Sequence, residues 1–533
     1  MKKLILSAAI IATVIVVKAQ NEDDALRYSM DRYTGTARSV ALSGAVGALG
    51  GDFSSIGVNP AGVAVYRSSE FTFTPALVLN KSNSNYYGVK SQEDKYSLPF
   101  QEIGFVGTYR PMREVTKGVV SSHFSVGYNR TNSYTKKHYI QGNNLKHSLL
   151  DRFTFNSNKN EWSDFYNGLA YDKNFGLLYF QDNFGEYLNA FEYVDTNGEI
   201  KFGPQSGINQ LTAIDEKGNA GEFHFGGGVN ISNKVMIGGT LGINTISYKR
   251  GLQHYEEVNG RNYDDWYPKQ YFEHNIGFEG LDNFTFEESL TTFGVGVNLK
   301  VGVIYKPINA IRIGAAFHSP VFYSIDDEFS TSLKGNFFDV EASADGKEYR
   351  FSPSPERYTG KQYGNFSYNF NTPFKGVGSL AFVFGSRGLV SIDYEYIDYG
   401  SMRFSSTSTD IYDKRYMDEV NKTIMKTFKQ SHNLRFGVEF RPSEIFTLRG
   451  GYGLYQSPYR KDFLNTDNKH QTFSIGFGYR MNNMFIDLAY MLRHEKFIYS
   501  LYNLDDVDYK ETNEPADIIN NNHQVAVTLG WRF

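Results

Sequence analysis

Four arginines, Arg435, Arg449, Arg480 and Arg532, fall on the polar side of stretches whose alternate residues are apolar. A guanidinium placed there can hold a carboxylate through two parallel hydrogen bonds. The carboxylate can equally come from the chain itself, since Glu439 and Asp487 share those polar faces and can pair with the arginines inside the fold. Arg435 and Arg449 are the first candidates for binding an anionic group. His123, His224 and His318 also lie in strand-like stretches, but no GxSxG or HExxH spacing accompanies them. With no cysteine among 533 residues, thiol catalysis, thiolate metal sites and disulfides are excluded. The residues therefore point to a protein that is not an enzyme and that needs no cofactor or metal. A site assembled from distant strands, as in a barrel lipase or protease, is the chemistry that spacing alone does not reveal.

The elements that position these residues are strands. From His523 to Phe533, Val525, Val527, Leu529, Trp531 and Phe533 point one way, while Gln524, Ala526, Thr528, Gly530 and Arg532 point the other. The same alternation runs from Phe293 to Tyr305, with Lys300 on the polar side. Such segments recur near 70–80, 101–111, 119–134, 221–232, 234–250, 290–306 and 309–325. They continue near 376–385, 388–400, 431–441, 445–457, 470–481, 483–497 and 523–533, about fourteen strands in all. Their lengths suit tilted membrane strands.

Connections alternate between short and long. PMREVTKG, PINA, SRG, PSE and NN make tight turns, whereas 81–100, 135–220, 251–289, 326–375, 401–430, 458–469 and 498–522 are long, the largest being 135–220. An up-and-down antiparallel transmembrane β-barrel requires this pattern, with short turns on one side of the membrane and loops on the other. A soluble sandwich or propeller has no reason to gather its long loops at one end. Composition agrees: 39 Tyr, 43 Phe and 51 Gly accompany a mean hydropathy of -0.43, as a wall with one face in lipid and one in water demands. The net charge of -4, without basic clusters, argues against nucleic acid as a partner.

MKKLILSAAIIATVIVVKAQ reads as a signal peptide over residues 1–19, with cleavage after Ala19, because its apolar run falls short of a membrane span. Within the largest loop, Trp162, Phe165, Tyr166 and Leu169 fall at helical spacing, as do Phe184, Tyr187, Leu188 and Phe191. They predict either an apolar external groove or a self-packed helix pair. Residues 412–428 predict a further loop helix, packed through Tyr416, Val420, Ile424 and Phe428.

Between the leader and the first strand, residues 20–69 carry ARSVALSGAVGALGGDFSSIGVNPAGVAV, whose side chains are mostly too small to build a core. A helix is expected from Ala37 to Leu49, ended by Gly50 and Gly51, after which Pro60 bars regular structure and holds Asn59 extended. Side chains this small fit inside a narrow lumen, so the segment is read as a plug. It resembles the N-terminal pattern of the FadL-like outer-membrane transporters of long-chain fatty acids, which include the TodX-type transporters of aromatic hydrocarbons. The matching positions are Gly44, Ala45, Asp52, Asn59, Pro60, Ala61 and Gly62, and NAIRIGAAFHSP and FTLRGGYGLYQSP are similar to family strands.

The resemblance implies an all-β architecture of 20–69 as N-terminal hatch and 70–533 as barrel, in the outer membrane of a Gram-negative bacterium. It implies a monomer inserted by the barrel-assembly machinery through the C-terminal strand ending at Phe533. The Asn-Pro-Ala element would pack near an inward kink of the third strand, where a hydrophobic ligand leaves sideways into lipid. Gly127 is the candidate for that kink. A fatty acid would draw on Arg435 and Arg449. Competing readings are a surface-binding adhesion barrel, a barrel enzyme, and a diffusion porin, which a plug would obstruct.

Overall fold

The computed structural model describes residues 21–32, 34–113, 115–159, 161–171, 176–181, 185–194, 197–204, 206–259, 279–342, 349–461, 468, 470–502 and 514–533. The expected leader and Phe184 lie outside them. The wall is a closed barrel of fourteen antiparallel strands. They are β1 (Glu70–Tyr86), β2 (Val89–Ser97 and Phe100–Tyr109), β3 (Val119–Ser133 and Lys136–Asn144), β4 (Ile208–Ile231), β5 (Val235–Val258), β6 (Glu279–Ile308) and β7 (Ile311–His318 and Phe322–Ala342). After these come β8 (Gln362–Asn371 and Lys375–Phe384), β9 (Gly388–Asp398), β10 (Gln430–Phe440), β11 (Phe446–Tyr455), β12 (His470–Met481), β13 (Met484–Tyr499) and β14 (Ala516–Arg532). A ladder running from Glu70↔Arg532 to Asn85↔Asp517 joins β14 to β1, so the seam exposes no strand edge.

The alternation read from sequence sorts side chains as expected. On β6, Phe293, Val295, Val297, Leu299, Val301, Val303 and Tyr305 are exposed, while Asn298 and Lys300 are buried within. Lys300 donates to Glu222 on β4. Similar exposed rows circle the wall and end in Tyr109, Phe384, Phe440, Phe446 and Phe533 beside the short turns. A belt this apolar is stable only in contact with lipid. No described helix is long and apolar enough to cross a membrane, and the belt is carried by strands.

Several expected loops are strand. Residues 81–100 form a hairpin in which β1 and β2 run on to a tight turn at Tyr87 and Gly88, both with positive φ. Residues 208–220, 251–258, 279–289 and most of 326–371 prolong β4 to β8. Beyond the apolar belt both faces of these strands meet water or loops. Pairing continues there without the alternation that marks a lipid-facing strand.

The largest loop holds two helices, Leu149–Asn158, opened by a capping box between Ser148 and Asp151, and the short Asn167–Tyr171. Tyr187 and Leu188 lie in a short strand paired with Leu178–Gln181 rather than on a second helix, so their 3.6-like spacing is incidental. Leu169 and Phe191 are buried with Phe153, Phe284 and Phe286. The loop packs on itself and on the prolonged β6, which is the self-packed alternative. The helix expected at 412–428 is present as Ile411–Thr427, with Val420 and Ile424 buried.

The N-terminal segment forms α1 (Glu22–Ser29), α2 (Ala37–Ala41), α3 (Phe53–Val58) and a 3-10 helix over Pro60–Val65. All are packed against inward-facing residues of the wall. The Ala37 amide donates to Thr528 on β14 at 2.6 Å, the Ser43 and Ser474 hydroxyls meet at 2.7 Å, and Phe53 stacks on His224 of β4 at 4.7 Å. The helix expected as far as Leu49 stops at Ala41, because Ser43 and Gly44 turn the chain with φ of 49° and 78°. Asn59 is extended as expected, but Pro60 does not bar regular structure. It opens the 3-10 helix at a first position, where a missing N–H costs nothing.

The seat for this segment is a set of inward glycines. A Cβ built on Gly238 of β5 would lie 2.4 Å from the Pro60 carbonyl oxygen, and one on Gly302 of β6 would lie 2.0 Å from Asn59 Oδ1. Gly238→Leu is expected to leave the barrel folded, as judged by heat-dependent gel mobility, while residues 36–66 become open to limited proteolysis. Unchanged protection of that stretch would refute the seat.

Candidate functional site

The site is built where the N-terminal segment, the wall and a cavity meet. Asn59 is fully enclosed and makes three hydrogen bonds: Nδ2 donates to the carbonyls of Gly47 at 2.8 Å and Val303 at 3.2 Å, and Oδ1 accepts from the Ala61 amide at 3.1 Å. The side chain thus ties two stretches of the segment to each other and to β6. Pro60 and Ala61 press on Gly238, and the Gly62 amide donates to the Asn59 carbonyl at 2.9 Å, while its own carbonyl accepts from Gly51 at 3.2 Å. Gly44 and Ala45 form the turn after α2, with Ala45 fully buried. Both carboxylate oxygens of Asp52 accept from the Thr36 hydroxyl at 2.8 Å. Burial pushes the Asp52 carboxyl above its usual range, against the pull of Arg38 and Thr36. The seven motif positions are therefore brought together as one folded wedge.

Arg435 and Arg449 lie on the inner wall, but each faces carboxylates. Arg435 pairs with Glu395 at 3.1 Å and Asp393 at 3.8 Å; Arg449 pairs with Glu439 at 2.9 Å and Asp487 at 2.7 Å. A ligand carboxylate at either would have to displace an acidic side chain from a buried pair. Arg38 of α2 adds to this network through Glu439 at 3.0 Å, so the arginines of β10 and β11 belong to the fastening of the N-terminal segment. Burial works against the charge of Arg38, yet Glu439 and Asp52 together hold its guanidinium above the ordinary arginine range. Arg532 pairs with Glu70 across the seam at 2.8 Å.

The histidines are distributed rather than assembled. His123 contacts the hydroxyls of Thr108 and Ser121, His224 lies flat on Phe53, and His318 meets the Val58 carbonyl at 3.0 Å. Among the described residues no group of three His, Asp or Glu is placed to hold a metal.

The wall is irregular between β2 and β3. Their ladder covers only Glu102–Tyr109 against Ser122–Asn129. Leu98 and Pro99 interrupt β2, as a residue without an N–H must in a ladder, and β3 breaks at Tyr134 and Thr135. Beyond the break, Lys136–Asn144 stays paired with β4 but crosses the inner face of β1. His138 Nδ1 meets the hydroxyl of inward Ser82 at 2.6 Å, and Gly142 lies against Tyr86. The third strand therefore does bend inward, but not at Gly127. Gly127 pairs regularly with Gly104, and both lie beneath the Phe53 ring. The bend leaves the outer half of β2 with β1 as its ladder neighbour. On the outside of the opening stand the exposed side chains of Leu98 and Phe100; above it, Lys137 reaches Glu93 at 3.1 Å and Lys95 pairs with Asp215. On the inside lie Met30, Arg32 and Thr34. The Arg32 amide donates to Thr131 O at 2.7 Å, the Thr34 hydroxyl to Arg130 O at 2.6 Å, and Asn132 to Met30 O at 2.9 Å.

Behind these residues is a cavity of about 480 Å³. Its lining includes Tyr166 and Phe329 on the loop side, Leu26, Met30 and Thr34 of the N-terminal segment, and Gln101, Asn132 and Tyr134 at the wall opening. Its lining mixes polar and charged groups with apolar ones, which suits a molecule that has both an apolar part and a polar end. Sequence reasoning missed Arg32 and Arg38, which fasten the segment, and the break at Tyr134. The NSYTKK stretch holds neither Gly nor Pro, so no local signal marked it.

No protein-family model matches the chain, and no curated protein matches it in sequence. Among solved structures it is similar to a Pseudomonas aeruginosa FadL homologue, with a TM-score of 0.52 and 11% identity over 95% of this chain and 100% of that one. It is also similar to the P. putida toluene transporter TodX, with a TM-score of 0.50 and 14% identity over 93% of this chain and 98% of that one. A deltaS2 mutant of the TodX monoaromatic hydrocarbon channel gives a TM-score of 0.51 and 14% identity over 94% of this chain and 99% of that one. At these identities the likeness is one of fold: the chain has the FadL/TodX-type barrel.

Asn59→Ala strips a buried wedge of three hydrogen bonds, and a buried group left unpaired costs about 1–3 kcal/mol. Amide hydrogen exchange over residues 44–62 is expected to speed up by about tenfold or more. Exchange unchanged from the native chain would show that Asn59 does not hold the wedge.

Proposed function

We propose that this chain is an outer-membrane conduit for hydrophobic compounds, long-chain fatty acids among them, in which residues 20–69 act as a hatch and the ligand leaves sideways between β2 and β3. The observation that carries the reading is the coincidence of cavity and opening: Gln101, Asn132 and Tyr134 belong to both. The FadL and TodX neighbours support hydrophobic cargo in general, and the polar groups of the cavity lining favour cargo with a polar end.

The physical logic follows from transfer free energies. An apolar chain released into the periplasm re-exposes its surface to water at about 25 cal/mol per Å², whereas release through the wall keeps it among apolar groups. The aromatic group formed by Phe100, Tyr128 and Phe223, with ring centroids 5.3 and 4.8 Å apart, lines the lower sill of that exit. Transport needs no energy source if the ligand binds one hatch conformation better than another. Met30, Arg32 and Thr34 belong to the part of the hatch that must move, because they stand between cavity and opening. In this reading Gly44, Ala45, Asp52, Asn59, Pro60, Ala61 and Gly62 are the pivot that stays seated. The protein works as a monomer, inserted by the barrel-assembly machinery through its last strand. A purely adhesive barrel would account for the tall loops but not for a cavity continuous with an interrupted wall.

The absence of native cysteines makes a disulfide test clean. Ser43→Cys with Ser474→Cys replaces two hydroxyls 2.7 Å apart and locks α2 to β12. In cells lacking their own transporter, the native chain is expected to take up labelled long-chain fatty acid. The locked chain keeps uptake if the wedge is a fixed pivot and loses it, reversibly with reductant, if the whole hatch moves. No uptake by the native chain, with the barrel shown to be folded, would refute fatty-acid transport.

A further inference from the structure

Among the described residues three arginines lie almost wholly inside the protein: Arg435 at 0% exposure, Arg449 at 6% and Arg493 at 7%. The first two are neutralised by carboxylates, as described. Arg493, on the inner face of β13, has no hydrogen bond or ion pair among the described residues, and its Nε is enclosed without a partner. Its side chain lines the 480 Å³ cavity. The nearest acid along the strand, Glu495, is already held by Arg32 of the N-terminal segment at 2.6 Å. A buried guanidinium without a counter-ion is costly, and the fold neutralises the other two, so this one is left for something that enters.

The surroundings agree. In the strand register Arg493 stands opposite Asn522 of β14, and Asn522 opposite Asn80 of β1, forming a polar row across three adjacent strands. One inward step lower, Gln524 is 2% exposed and its Nε2 has no acceptor; Asn80 Oδ1 and Gln101 Oε1 are likewise enclosed and unpaired. All four residues line the same cavity. Buried polar atoms in proteins are overwhelmingly paired, and a cluster of orphans round one space marks where a polar guest completes them. An amide N–H and a guanidinium fork that converge from diagonal positions suit the two oxygens of a carboxylate. Arg493 is the lining cation without an ion pair among the described residues, and with Asp23, Asp24, Glu216, Glu288 and Glu495 also on the lining it suits a monoanion rather than a phosphate dianion.

We infer that Arg493, assisted by Gln524, is the headgroup site of the conduit, and that its cargo is an amphiphilic monocarboxylate rather than a neutral hydrocarbon. The inference rests on the transport reading and narrows its substrate class. The bound tail extends along Val78, Met30 and Tyr134 toward the opening between β2 and β3, so the headgroup is fixed while the tail probes the exit.

The test is equilibrium binding of radiolabelled dodecanoate and dodecan-1-ol to the full chain in lipid nanodiscs at about pH 8, where the acid is ionised. The native chain is expected to prefer dodecanoate by about tenfold or more. Arg493→Met should abolish the preference without weakening dodecanol binding, Arg493→Lys should retain part of it, and Gln524→Leu should reduce it several-fold. Retention by the lysine variant, with unchanged dodecanol binding by the methionine variant, excludes misfolding as the cause. Equal binding of both ligands by the native chain, or a preference that survives Arg493→Met, overturns the headgroup site and leaves hydrophobic transport standing. Binding of neither ligand by the native chain overturns both.

Discussion

Everything in this molecule depends on how closely the backbone of the N-terminal segment approaches the backbone of the wall. The wedge around Asn59 and Pro60 sits on Gly238, Gly302 and Gly314, and the turn after α2 sits on Gly451, where added Cβ atoms would collide with backbone or with Asn59 itself. Such contact is possible only if both surfaces lack bulk. That is why the segment is written in Ala, Gly and Ser, and why the inner wall carries glycines opposite it. Small side chains here are the means by which a lumen is filled with main chain, whose polar groups are then satisfied by Asn59, Thr36 and Thr528.

A second layer of fastening is ionic. Arg38, Glu439, Arg449 and Asp487 form a continuous chain of pairs from α2 into β10, β11 and β13, and Asp393 accepts from the Gly47 amide at 2.9 Å. Inside a barrel, removing one member leaves its partner charged and enclosed, so such a network acts as a unit. Arg32 with Glu495 fastens the upper stretch separately. The segment thus has two attachments of different kind: a lower one built from shape and linked charges, and an upper one, at Met30, Asp31, Arg32 and Thr34, that rests on two ion pairs, Arg32 with Glu495 and Asp31 with Lys375, and a few hydrogen bonds to a bent strand.

Much of this was legible before any coordinates. Period-2 alternation placed the lipid-facing parts of all fourteen strands, and the spacing of turns gave the antiparallel order, because lipid on one side and polar groups on the other impose a pattern on every crossing. The pairing of Arg449 with Glu439 and Asp487 was visible as one of two alternatives, since all three share a polar face. What sequence did not reveal lies where that constraint ends. The prolonged β4 to β8 meet water rather than lipid outside and pack loops and polar neighbours inside, so they carry no apolar alternation, and the hairpin at Tyr87 and Gly88 read as loop. The break at Tyr134 arises from long-range contacts with Ser82 and Tyr86 of β1, and nothing in the local residues encodes it. Arg493 was readable in principle, being in phase with Asp487 along β13, but its lack of a partner is a property of three dimensions.

The height of the strands beyond the belt alters where cargo is first met. On β6 the exposed apolar row begins at Phe293, while the strand itself starts at Glu279. At about 3.3 Å per residue the intervening stretch climbs roughly 45 Å along the strand direction. The mouth is therefore raised like a chimney above the lipid, capped by a loop core around Phe153 and Phe284. Molecules dissolved or dispersed in the surrounding fluid reach such a mouth directly, whereas those already adsorbed to the membrane surface lie at its foot. For the transport proposed above, a tower of this height favours collection from the bulk medium over skimming of the bilayer.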